Sequence, residues 1–144
     1  MVAAQLKRLR VLVITLLVLL VIQFEFGMAV NLSDLPSISP FNFSLPIVLS
    51  TLNQMGFVAM VHAVLGTVLT ILSLISMVMA LKSRIRSVQV FGMLGFLTMF
   101  LAATMGLFFV LSGFQSDNYS HGMATNFILT FGFYFLELYF LKSS

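Results

Sequence analysis

The 144 residues contain no cysteine, which excludes disulfides, thiolate metal sites and cysteine nucleophiles together. Charge is nearly as scarce: four acidic and seven basic side chains make up 8% of the chain, against about 25% in a soluble domain. Tryptophan is missing too, so the lipid–water boundary that tryptophan and tyrosine usually mark is left to Tyr119, Tyr134 and Tyr139. There is no Walker loop, no serine nucleophile elbow and no His-Glu-x-x-His helix, so the motifs that carry soluble-type active sites are absent.

Apolar side chains are what the sequence has in excess. A hydrophobic content of 60% and a mean hydropathy of +1.14 mark a membrane protein. A helix needs about 20 residues to cross about 30 Å of hydrocarbon, and four runs reach that length, at about 9–30, 49–81, 88–113 and 122–141. The expected fold is all-α, a single domain over 1–144: an integral membrane, up-and-down four-helix bundle with both termini cytoplasmic. The second run is longer than a bilayer requires, so its polar start, Ser50 to Gly56, is expected to project or tilt. The first run also has the layout of a secretory signal, but its length and its interruption by Gln23 and Glu25 favour a retained span.

All seven basic residues fall on one side of these spans. Lys7, Arg8 and Arg10 precede the first, Lys82, Arg84 and Arg86 lie between the second and third, and Lys142 follows the fourth. The positive-inside rule makes that side cytoplasmic, and the expected location is the plasma membrane. The net charge of +3 therefore reflects topology and anionic headgroups, with no basic patch suited to nucleic acid. The opposite side carries loops 31–48 and 114–121, which hold no Lys or Arg but contain three Asn-x-Ser sequons at Asn31, Asn42 and Asn118. Pro36 and Pro40 make the first loop an irregular outer cap. Sequons on an external face predict a glycoprotein, and in a cysteine-free chain of prokaryotic character they point toward an archaeon.

Four ionisable groups lie within or at the ends of the spans, where each is costly and by default a candidate site. Glu137 is a turn from the cytoplasmic end of span four and is expected to reach Lys142 or the basic loop. Glu25, His62 and His121 lie toward the outer side at comparable depth. On a helix, His62 shares a face with Gly66, Thr70, Ser73, Met77 and Ala80, a stripe of small or mildly polar residues of the kind that faces another helix. In span three, Gly92, Gly95, Met99, Ala102 and Gly106 form a second smooth face, and in span four His121, Thr125, Ile128 and Gly132 form one side with Asn126, Thr130 and Glu137 beside it.

Spans two and four are diagonal in an up-and-down ring, at roughly 12–14 Å if neighbouring axes are about 8–10 Å apart. That separation suits a haem b with His62 and His121 as axial iron ligands, Gly66, Gly106 and Gly132 making room for the ring, and Glu25 and Asn126 as hydrogen-bonding support. The function expected on this reading is electron transfer, linked to quinone or a respiratory complex, by a protein that holds and tunes the cofactor rather than acting as an enzyme on its own. Other readings of the same residues stand beside it. In one, His62 is a hydrogen-bond partner of Glu25, Asn126 or a carbonyl and holds no cofactor, and the chain is a non-catalytic accessory subunit that packs against a larger membrane, respiratory complex, or against copies of itself, through its glycine faces. A proton path through Glu25 and His62 lacks a continuation beyond hydroxyls and Glu137. Eight of the ten methionines are dispersed over the last three spans, which gives no cluster of soft ligands for copper.

"HAVLG" at 62–66 and "HGMA" at 121–124 resemble the half-repeat of haem A synthase and, more loosely, other membrane b-type cytochromes. The resemblance covers the four-span layout and implies histidine ligation of haem. The haem A synthase pattern has a glutamate three residues before its span-two histidine where this chain has Ala59, and it often has cysteines in the first outer loop. Their absence implies a cofactor-holding half rather than a catalytic one.

Overall fold

A computed structural model describes residues 2–32, 46, 50, 56–114 and 116–142. It contains four long helices: α1 (Val2–Asn31), α2 (Gly56–Leu81), α3 (Arg86–Leu111) and α4 (Asp117–Lys142). Each is long and apolar enough to cross a membrane. Each helix packs on its neighbour in the chain, and α1 also packs on α4, which closes a four-membered ring.

The sequence dictates this packing through a seven-residue seam on every helix. The buried positions on α1 are Leu9, Val13, Leu16, Leu20, Gln23 and Val30; on α2, Ala59, Leu69, Ser73, Ser76 and Ala80; on α3, Val88, Gly92, Gly95, Thr98, Met99 and Ala102; on α4, Thr130, Tyr134, Glu137 and Leu141. Spacings alternating between three and four keep one seam facing inward along nearly parallel axes. The seams differ in bulk. α1 contributes leucines, α4 contributes a tyrosine and a glutamate, and α2 and α3 contribute mostly small residues that let the chains approach.

The α3–α4 register runs through three contacts. Tyr134 lies against Gly95, Glu137 against Gly92, and Met123 against Gly106, so the two helices are antiparallel. Phe24 stacks on Phe127 at 5.7 Å, and Phe91 on Phe140 at 5.6 Å. Two tight connections set the direction reversals. After α2, Gln89 Nε2 donates to Leu81 O at 3.2 Å and to Ser83 O at 2.7 Å, supplying carbonyls that a helix C-terminus leaves unpaired. After α3, Gly113 at φ +68° takes the left-handed conformation that glycine adopts without steric cost. The antiparallel ring gathers all seven basic residues, each exposed, at one end.

Helix ends differ from the expected spans. α1 begins well before residue 9, and α4 begins five residues before 122, so His121 stands in the second turn of α4 and not at its start. The part of the second run before Gly56 lies almost wholly outside the described residues, as do the Asn42 sequon and most of loop 31–48.

Candidate functional site

Two polar clusters interrupt the apolar interior. The first joins α1 to α2. Gln23 Nε2 donates to the His62 carbonyl at 3.1 Å, which fixes the amide's orientation because a carbonyl only accepts. The same Nε2 lies 3.3 Å from His62 Nε2, so that ring nitrogen is the acceptor and Nδ1 carries the hydrogen. His62 Nδ1 and Gln23 Oε1 are both buried without a partner. Gly27 and Gly66 give this pair its space: a Cβ at Gly27 would meet the imidazole at 3.0 Å, and one at Gly66 would meet the Gln23 amide at 3.2 Å.

His62 therefore turns toward α1 and finds Gln23 rather than Glu25. Glu25 is exposed on the outward face of α1. Asn126 is half-buried and spends its amide on its own helix, donating to Gly122 O at 2.9 Å. His121 is exposed, and Gly132 has no atom within 4 Å of where a Cβ would stand. The residues do not fit a haem held between His62 and His121. One imidazole nitrogen is committed to Gln23, Gly66 and Gly106 are already approached by Gln23 and Met123, and the other histidine faces outward. Of the sequon asparagines, Asn31 at the end of α1 and Asn118 at the start of α4 are both exposed.

The second cluster lies toward the basic end, among α2, α3 and α4. The single Thr130 hydroxyl hydrogen is shared between Thr98 Oγ1 and Asn126 O, both 2.8 Å away, and Thr98 Oγ1 donates to Leu94 O at 2.9 Å. One turn further along α4 stands Tyr134, then Glu137. Both are fully buried, as is Ser76 on α2. The Tyr134 hydroxyl lies close to Ser73 and Glu137, but no hydrogen bond of good geometry reaches its oxygen. Ser73 instead donates to Thr70 O at 2.7 Å. Glu137, expected at Lys142 or the basic loop, faces the bundle interior, and neither carboxyl oxygen has a partner.

On α4, Thr130 and Glu137 are buried, while His121 and Gly132 on the adjacent side are exposed. The signal that identifies the inward side is the match of two spacings. Thr130, Tyr134 and Glu137 advance by four and three, and Thr98, Gly95 and Gly92 retreat by three and three on the antiparallel partner. A large residue on one helix thus meets a glycine on the other at two successive levels.

The outer face of α2 carries a shallow, wholly apolar groove lined by Met60, Val61, Val64, Leu65 and Val68. It offers no polar group to orient a ligand. No family model, no curated protein and no solved structure matches this chain.

Proposed function

We propose that the chain is a non-catalytic accessory subunit of a larger membrane assembly, embedded in the plasma membrane with both termini cytoplasmic. Glu25 carries this reading. It projects from α1 among Val18, Val21, Ile22 and Met28, all exposed apolar side chains, and among the described residues it has no hydrogen bond or ion pair. It is six residues short of Asn31, about 9 Å along the helix axis. An acidic side chain facing hydrocarbon costs on the order of 3 kcal/mol at a helix centre. A neighbouring helix that brings a lysine, arginine or amide donor to that level removes the cost and defines where the partner sits.

The glycine faces do not supply this contact, because Gly66, Gly92, Gly95 and Gly106 are used within the bundle. Of the glycines in the helix middles, Gly132 is the one left open. The expected result is that Glu25→Ala, and to a lesser degree Glu25→Gln, reduces the amount of partner subunit retained when the chain is isolated from its native membranes in mild detergent. Val18→Ala on the same face keeps it. Equal retention by all three variants overturns the reading. A Soret band in the purified protein that disappears with His62→Ala would instead establish the haem b reading.

A further inference from the structure

We propose that the Glu137 carboxyl and the hydroxyls of Tyr134 and Ser76 form a binding site for sodium inside the bundle. Four oxygens carry the inference: Glu137 Oε1 and Oε2, Tyr134 Oη and Ser76 Oγ are all buried and all lack a hydrogen-bond partner. Their three residues are 0% exposed. Buried polar atoms in folded proteins are almost always paired, so orphans concentrated in one region point to a missing ligand.

Ser76 sharpens the argument. Hydroxyls in membrane helices ordinarily bond back to a carbonyl one turn earlier, and Thr15, Thr67, Thr70, Ser73, Thr98, Thr104 and Thr130 all do so. Ser76 does not, so both its hydrogen and its lone pairs are unspent inside the bundle. Glycines of α3 stand against two of these residues. An added Cβ at Gly92 would lie 3.1 Å from Glu137 Oε1, and one at Gly95 would lie 2.9 Å from the Tyr134 ring.

The donor set selects the ion. All four atoms are hard oxygens, which favour alkali and alkaline-earth cations over zinc or copper. One carboxylate supplies one negative charge, which balances a monovalent ion. Among the described residues no three His, Cys, Asp or Glu side chains converge, so the ligand count of a calcium or zinc site is not reached. Among the described residues nothing cationic competes. The buried residues of this half of the bundle include Leu9, Val13 and Leu16 on α1, Ser73, Ser76 and Ala80 on α2, and Gly92, Gly95 and Thr98 on α3, none of them titratable. All seven basic side chains are exposed. Glu137 lies five residues from Lys142, about 7.5 Å along the axis, which makes the basic end the shorter route to water. The step balances simply: the protonated carboxyl gives its proton to water as the cation takes its place.

The test uses the purified full chain in detergent, so it is independent of any partner. Thermal stability is compared in sodium, potassium and choline chloride at equal ionic strength, and proton release is followed with a pH dye in weak buffer. Sodium is expected to raise the melting temperature above choline and to release about one proton per chain. Glu137→Gln, which keeps the shape, is expected to abolish both effects, and Ser76→Ala to weaken the sodium midpoint about tenfold. Identical melting in all three salts with no proton release overturns the proposal and leaves the oxygens to water. A stability that follows pH alone, with the same profile in sodium and choline, overturns it in favour of simple protonation of Glu137.

Discussion

Gly92→Ala is expected to cost about 2–3 kcal/mol of bundle stability, as an overpacked core does, and Ala80→Gly is expected to restore it. The added Cβ would stand 2.6 Å from the Ala80 Cβ and 3.1 Å from Glu137 Oε1. The first of these contacts is between two atoms fixed to backbone, so no rotamer relieves it. α2 and α3 must separate, and the next level, where Gly95 receives Tyr134, loosens with them. Moving the glycine from 92 to 80 leaves the helical content of glycine unchanged, so the double variant is expected within about 1 kcal/mol of the natural chain. Gly132→Ala is the control. Nothing stands within 4 Å of that position, and replacing a helical glycine there is expected to stabilise by about 0.5–1 kcal/mol. Unfolding with SDS from mixed micelles reads all four chains. A double variant no more stable than Gly92→Ala would show that Ala80 is not the limiting contact.

The contrast between Gly92 and Gly132 also shows what the sequence made legible and what it did not. The four helices were readable because length and hydropathy suffice for a bilayer-spanning segment, and the clustering of Lys7, Arg8, Arg10, Lys82, Arg84, Arg86 and Lys142 at one end followed from their placement between spans. Which side of each helix faces inward was harder. In a soluble bundle the apolar stripe marks the core, but here the outward side is as apolar as the interior, so Leu16 and Val18 look alike although one is buried and the other exposed. Small and polar residues carry the information instead. On α2 the stripe of small residues does lie inward, since Ser73 and Ala80 are buried and His62, Gly66, Thr70 and Met77 are half-buried. His62 then turned to α1, because Gln23 offers its amide there and Gly27 leaves room for the ring. On α4 the choice between two adjacent polar sides could not be made without its partner. Only the glycines of α3, at the right levels, single out Tyr134 and Glu137 over His121 and Gly132.

Tyr134 allows the two contributions of that inward side to be separated. Tyr134→Ala is expected to cost about 3–5 kcal/mol, the range for removing a large buried aromatic ring, because the ring is fully buried and its edge fills the space that Gly95 leaves. Tyr134→Phe keeps the ring and removes only a hydroxyl that has no partner. A buried polar group without a hydrogen bond carries a desolvation penalty of about 1–3 kcal/mol. In sodium-free buffer the phenylalanine variant is therefore expected to be at least as stable as the natural chain. With sodium bound the sign reverses, since the hydroxyl then has a ligand to lose. Measuring both variants with and without sodium yields a ring contribution that ignores the salt and a hydroxyl contribution that changes sign with it. A Tyr134→Phe chain that is destabilised equally in both buffers would mean that the hydroxyl is held by something other than the cation.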